Sequence, residues 1–241
     1  STKRHPSRIT ARAGADRDGK LTAFQFAGDF DTGAYASWGP TVADRVPVHA
    51  SGPYAVKTVK AQTRAIHTNR PPSGAFRGFG VPQAALAHEG LMDDLADKLG
   101  VDRLEFRLRN AIRAGDETPT SQKLTHSAGL AQCLEALQVQ WKEWRDESEA
   151  FNRANVVTRR GVGIGCMWYG IGNTSMSNPS TMEVGIDPEG RLTLYNGAQE
   201  IGQGTTTIMV QICADALGVS TDLFRHVMGD TDLTLDAGKA S

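Results

Sequence analysis

The sequence is poor in cysteine and nearly neutral in charge, and both features exclude classes of protein. Its 241 residues include three cysteines, Cys133, Cys166 and Cys213, and none of them forms a CxxC pair. Three dispersed thiols fit neither an iron–sulfur cluster nor a disulfide framework, and they favour a reducing, cytoplasmic compartment. The formal net charge of -1 provides no basic surface of the kind that binds nucleic acid.

Long apolar runs and the short motifs of several common enzyme classes are also missing. No stretch approaches the roughly 20 apolar residues that a transmembrane helix needs, so no membrane span is expected. The six histidines are scattered without metal-ligand spacing, and no GxSxG, P-loop or HExxH motif is present. We therefore assign no metal ligand and expect no serine-hydrolase, P-loop or zinc-protease chemistry.

The two ends of the sequence are unlike those of a complete protein. The chain starts with STKRHP, which has neither an initiator methionine nor an apolar signal stretch, and it stops in LDAGKAS. We therefore expect an internal fragment of a larger protein.

Turn signals and apolar periodicity predict strands and helices in both halves of the chain. Hairpins are expected around DRDGK and around DPEG, and their similarity indicates two related halves. The remaining predicted strands cover 162–172 and 223–230. The predicted helices cover 81–100, a segment from Asp102 onward, 127–151 and a segment that opens after the second glycine of GQG. This mixture predicts an α+β fold of two lobes rather than one continuous parallel sheet.

The segment PSGAFRGFG, residues 72–80, places one arginine between two phenylalanines and among three glycines. Arg77 is either a buried arginine paired with a carboxylate or a contact to an anionic ligand, which the glycines allow to approach the main chain. Phe79 is either a core aromatic or a ring on which a planar substrate stacks. Arg45, taken alone, is interpreted as a solvated charge.

The segment EIGQGTTT, residues 200–207, follows a predicted strand and opens a predicted helix. Gly202 and Gly204 allow a ligand close to the main chain, and the first N–H groups of a helix favour an anion. Gln203 both donates and accepts hydrogen bonds, as contact with a heterocycle requires. The alternative is an ordinary capping turn in which threonines 205–207 satisfy the backbone.

Several blocks in a fixed order resemble one enzyme family. They are KRHP, DTGAYASWG, TNRPPSGAFRGFGVPQ, DDLADKLGVDRLEFRLRNAIRAGDETP, GAQEIGQGTTTIMVQICADALGV and GDTDLTLDAG. Together they resemble the molybdopterin-binding region of the large subunit of xanthine dehydrogenases and aldehyde oxidases. The resemblance implies a molybdenum–molybdopterin cofactor, as the plain pterin or its dinucleotide. It also implies oxidative hydroxylation of an N-heterocycle or aldehyde with oxygen from water. A non-catalytic module that binds the pterin cofactor is the alternative.

The resemblance implies roles for individual residues. The residues that it places beside the cofactor are Arg77, Gln203, Gly202, Ala240 and Ser241. The residues that it places beside the substrate are Phe79, Ala75 and Thr174, and the residue that polarises the substrate is Arg45. Asn173 stands where xanthine-type enzymes carry a second stacking aromatic, which argues against a purine substrate.

The resemblance places other parts of the machinery outside the chain. The first cofactor loop is expected before residue 1 and the glutamate general base beyond residue 241. Iron–sulfur and flavin groups would belong to missing domains or partner subunits. Within the chain we expect a first molybdopterin-binding subdomain over 1–115, a helical connector over 116–160 and a second subdomain over 161–241. The isolated chain is expected to be inactive.

Overall fold

The strands and helices fall into two units, Ser1–Tyr169 and Gly170–Ser241. The computed structural model describes residues 2–170 and 177–238. The roles predicted for Asn173, Thr174, Ala240 and Ser241 therefore concern residues outside the described part of the chain. Each unit combines helices with a short sheet, which confirms the predicted α+β fold.

A three-stranded sheet in the order β1-β2-β3 forms the base of the first unit. Strands β1 (Ser7–Ala15) and β2 (Leu21–Gly33) form the predicted antiparallel hairpin. Strand β3 (Thr58–His67) pairs in parallel with β2, and helix α1 (Gly39–Val48) connects the two. Neither α1 nor β3 is predicted from the sequence. Helix α1 contains Pro47, a residue that normally argues against a helix interior.

Three further helices of the first unit agree with the sequence prediction. They are α2 (Val81–Leu99), α3 (Arg103–Asn110) and α4 (Leu130–Ala154). Gly100 ends α2 in the left-handed conformation, at φ 65°. The carboxylate of Asp102 caps α3 by accepting two backbone N–H bonds of 2.9 and 3.1 Å. None of the helices in the described part of the chain is long and apolar enough to cross a membrane.

The segment predicted as a strand over 162–172 forms no strand within its described residues. Val162, Ile164 and Cys166 instead pack against the core of the first unit. The sequence prediction of a strand is therefore wrong. It fails because a segment that is buried without strand pairing has the same apolar pattern as a buried strand. Because this segment and α4 both pack on that core, the first unit extends past residue 160, where the predicted connector ends. The predicted subdomain limits themselves stay a prediction.

A second three-stranded sheet, in the order β4-β5-β6, forms the other unit. Strands β4 (Glu183–Ile186) and β5 (Leu192–Asn196) form the second predicted hairpin. Helix α5 (Thr205–Leu217) leads to β6 (Phe224–Met228), which pairs in parallel with β5. Both units therefore run hairpin, helix and parallel strand in the same order, which supports the hypothesis of two related halves.

Candidate functional site

The AFRGFG loop, residues 75–80, lies between β3 and α2 and packs on α1. Gly78, Phe79 and Gly80 have consecutive positive φ angles of 93°, 38° and 95°. A side chain at Gly80 would start 2.8 Å from the carbonyl oxygen of Val42 in α1, so only glycine allows this close approach. The left-handed conformation of a non-glycine residue such as Phe79 costs about 1–3 kcal/mol and persists only where the surroundings enforce it.

The side chains of the loop point away from the interior rather than into it. Ala75, Phe76 and Arg77 are exposed, and Phe79 is half-buried. A buried arginine paired with carboxylates does exist in this unit, but it is Arg107, whose Nε donates to Glu89 Oε2 over 2.9 Å. Arg77 is therefore not a buried arginine, and its exposed side chain is accessible to a ligand, whereas the half-buried ring of Phe79 leaves both interpretations of that residue as predictions.

Arg45 lies in the last turn of α1 and is only 9% exposed. Its guanidinium carbon is 5.2 Å from the centre of the Tyr169 ring. His49, one turn later, stacks on the same ring with 6.0 Å between centroids, and its Nδ1 lies 3.1 Å from the Arg45 carbonyl oxygen. The interpretation of Arg45 as a solvated charge is wrong, because the ring of Tyr169 covers it.

The charge of this cluster resides on Arg45. Burial, helped by the neighbouring positive charge of Arg45, lowers the pKa of His49 to about 4, so its imidazole is neutral at physiological pH. Neither His49 nor Tyr169 is picked out by sequence reasoning. The available signal is the spacing of four residues between Arg45 and His49, which is informative only once α1 is known to be a helix.

The GQG loop, residues 200–204, precedes α5 in the second unit. Gly202 and Gly204 have φ angles of 92° and 89°. The carboxylate of Glu200 accepts the backbone N–H groups of Gly202 (2.6 Å), Gly204 (3.1 Å) and Thr206 (3.1 Å). The N–H groups predicted to bind an external anion therefore bind a carboxylate of the chain itself. This is the capping alternative, with Glu200 as the capping group rather than the threonines 205–207.

Gln203 is held within the same loop. Its Oε1 accepts the N–H of Ile201 (2.7 Å), and its Nε2 donates to the carbonyl oxygen of Gln199 (2.9 Å). The face above Gly204 is open, since no described atom lies within 4 Å of the position that a side chain would take there. The main chain of this loop is therefore approachable at Gly204, as a close contact with a ligand requires.

Comparison with known proteins places each of these two loops in a region that matches a described protein family. Models of the molybdopterin cofactor-binding domain match residues 1–111 and residues 134–241. The chain belongs to the molybdopterin cofactor-binding domain family. The AFRGFG loop lies within the first matched region of this molybdopterin-binding chain, and the GQG loop lies within the second.

Individual relatives include two proteins named as dehydrogenase subunits and one aldehyde oxidoreductase of known structure. The xanthine dehydrogenase molybdenum-binding subunit of Escherichia coli is 36% identical over 239 residues, which is 96% of this chain and 31% of that protein. The nicotinate dehydrogenase large molybdopterin subunit of Eubacterium barkeri is 49% identical over 135 residues, covering 56% of this chain and 32% of the relative. The crystal structure of an aldehyde oxidoreductase from Desulfovibrio desulfuricans matches 99% of this chain and 26% of that one, with a TM-score of 0.82 and 30% identity. The molybdopterin-binding chain thus spans about a third or less of each relative.

The residues of the two loops suit a molybdopterin cofactor. Its phosphate is anionic, and the exposed guanidinium of Arg77 is suited to such a group. In the GQG loop the main chain is open at Gly204, while the amide of Gln203 is bonded within the loop and Glu200 holds the N–H groups of Gly202, Gly204 and Thr206. A cleft of about 900 Å³ elsewhere in the first unit, next to the turn of the first hairpin, shares no residue with either loop.

Proposed function

We propose that this chain is the cofactor-binding part of a molybdenum hydroxylase that oxidises an N-heterocycle or an aldehyde with oxygen from water. The observation that carries the proposal is the exposed AFRGFG loop, whose conformation depends on its glycines and which lies within a molybdopterin cofactor-binding domain. The 49% identity with a nicotinate dehydrogenase subunit over 135 residues favours the N-heterocycle, because nicotinate carries a pyridine ring. The redox chemistry is supplied by the cofactor, while the protein binds and orients the substrate.

The first unit supplies the substrate contacts in this proposal. Arg45, positively charged beside a neutral His49, is the proposed group that stabilises negative charge developing on the substrate, and a substrate that reaches it would displace the Tyr169 ring that covers it. Phe79 provides a ring for a flat substrate, and Ala75 leaves space on the same loop. Thr174, outside the described residues, is the fourth proposed contact.

The cofactor contacts come from both loops and from the end of the chain. Arg77 binds the anionic part of the cofactor, and Gly202 and Gln203 contact the pterin. Ala240 and Ser241, also outside the described residues, belong to a further loop near the metal. Iron–sulfur and flavin groups in other domains or subunits of the parent enzyme, which we place in the cytoplasm, would accept the electrons.

The test uses the full-length protein, purified with its partner subunits. Molybdenum and pterin are measured first. Turnover of nicotinate, quinoline, xanthine and benzaldehyde is then measured with an artificial electron acceptor. We expect turnover of a pyridine, a quinoline or an aldehyde, and slower turnover of xanthine. Bound cofactor without turnover of any substrate would favour the second candidate, a non-catalytic module that holds the pterin cofactor.

A further inference from the structure

The KRHP segment, residues 3–6, has no role in the proposed function, yet it runs directly beside the AFRGFG loop. Lys3 and Ser73 form a parallel bridge, and the N–H of Gly74 donates to the Lys3 carbonyl oxygen over 3.0 Å. The buried ring of His5 places its Nε2 3.1 Å from the carbonyl oxygen of Gly39 at the start of α1. The backbone is thus fixed on both sides of Arg4.

Arg4 contacts the loop and the helix that follows it. Its Nη2 donates to the carbonyl oxygen of Arg77 over 2.9 Å, and its guanidinium carbon is 4.7 Å from the centre of the Phe76 ring. Its Nη1 is 3.5 Å from Oε1 of Gln83 in the first turn of α2. These contacts lie on either side of the three residues with positive φ, 78–80. The left-handed backbone of residues 78–80 persists only when its surroundings hold it, and Arg4 is one of the residues that do so.

We propose that Arg4 is a positioning residue that holds the AFRGFG loop in the conformation that binds the cofactor. Its effect on the cofactor depends on the proposed function, whereas its effect on the loop does not. A lysine could reach the Arg77 carbonyl, but it lacks the planar group that also lies over Phe76 and reaches Gln83. Burial, and after it the positive charge of Arg77, lowers the pKa of Arg4, and an anion beside Arg77 would oppose the second of these effects.

The test compares Arg4→Gln and Arg4→Lys in the full-length protein with Arg8→Gln, which removes an exposed arginine from β1. Hydrogen exchange is followed by mass spectrometry in peptides that contain the N–H groups of Phe79 and Val81, both bonded within the loop. We expect exchange at these groups to accelerate at least about tenfold in Arg4→Gln, as loss of a charge-assisted hydrogen bond implies. Arg4→Lys should be intermediate and Arg8→Gln unchanged.

Molybdenum and pterin content is measured on the same samples. We expect it to fall in Arg4→Gln and to recover in part in Arg4→Lys. Exchange in Arg4→Gln that matches Arg8→Gln would overturn the proposal, as would full cofactor content with unchanged kcat and KM. If Arg4→Gln does not fold, the same criteria apply to Arg4→Lys. If the wild-type protein holds no pterin, the proposed function is contradicted. Faster exchange in Arg4→Gln would then still support the role of Arg4 in holding the loop.

Discussion

The two units share a strand order but differ in how much apolar surface they bury. In the first, Phe24, Phe26 and Phe30 of the central strand β2 are at most 2% exposed. In the second, Ile208 and Ile212 of α5 remain 47% and 57% exposed. Among the described residues, the first unit buries a large apolar cluster, whereas the second buries few large apolar side chains, Leu194 among them. Because burial of apolar surface is the main stabilising term in folding, we expect the first unit to be the more stable one.

The loops differ in a similar way. The AFRGFG loop is held by Arg4, a residue from a distant segment, through a backbone carbonyl and an aromatic ring. The GQG loop is held by Glu200, a residue of the loop itself, through three backbone N–H groups. The first loop therefore depends on the tertiary structure of its unit, whereas the second is stabilised locally.

The largest expected difference between the units concerns their cores. Phe26→Ala should lower the free energy of unfolding of the first unit by about 3–5 kcal/mol, because it leaves a cavity in a packed core. Ile212→Ala, on the exposed side of α5, should change the stability of the second unit by at most about 0.5 kcal/mol. Urea unfolding followed by circular dichroism measures both, and equal effects would contradict the difference in burial.

The next largest effect is expected at Arg45, and it should differ in kind from the effect at Gln203, because the first is a proposed substrate contact and the second a proposed cofactor contact. Arg45→Gln in the full-length protein should lower kcat about 10²–10³-fold, as removal of a donor to developing charge does elsewhere. Gln203→Ala should act mainly on pterin content, because Gln203 is proposed to contact the cofactor. Steady-state kinetics and pterin analysis separate the two. The assignment fails if Arg45→Gln loses cofactor while its residual cofactor-bound enzyme keeps the wild-type kcat.

Phe79 should have a smaller effect, and one that depends on substrate shape. Phe79→Ala should weaken the binding of a flat heterocycle by about 0.5–1.5 kcal/mol more than the loss of contact area alone would. An aliphatic aldehyde, which offers no ring for stacking, serves as the matched control. The ratio of the two kcat/KM values is the measurement, and an unchanged ratio would rule out stacking on Phe79.

The smallest effect concerns the pH response of the two loops. Hydrogen bonds from the N–H groups of Gly204 and Thr206 lower the pKa of Glu200. The stabilisation is therefore complete well above the ordinary pKa of about 4.3 and is lost as the pH falls through the lower, folded-state value. Exchange at Gly204 and Thr206, corrected for its intrinsic pH dependence, should accelerate over that range in the wild type. In Glu200→Gln it should be faster throughout and lack this step. A step that survives in Glu200→Gln would show that another group titrates.

Local signals in the sequence were sufficient for part of this structure. The Asp18-Gly19 turn, the leucine periodicity of α2 and Gly100 at its end specify elements through neighbouring residues alone. Local signals do not predict β3, because its pairing with β2 is parallel and follows a long connection. The strand predicted at 162–172 was wrong because an apolar segment can be buried without pairing.

The site was predictable to a similar degree. The glycines and Arg77 indicate an accessible loop, and the order of the sequence blocks indicates the family. The burial of Arg45 depends on Tyr169, far along the chain, so local sequence gives no sign of it. The contact of Arg4 with the AFRGFG loop likewise joins residues 73 positions apart. Capping of this helix start is one of the two alternatives that the sequence leaves open, and Glu200 is the residue that provides it.

Cofactor analysis of the full-length protein tests the central claim most directly. The protein is produced with its partner subunits in cells supplied with molybdate, and molybdenum and oxidised pterin are measured per large subunit. The account predicts one of each in the wild type and a large loss in Arg77→Ala, with the isolated 241-residue chain holding neither. A folded full-length protein without molybdenum or pterin under these conditions would contradict it.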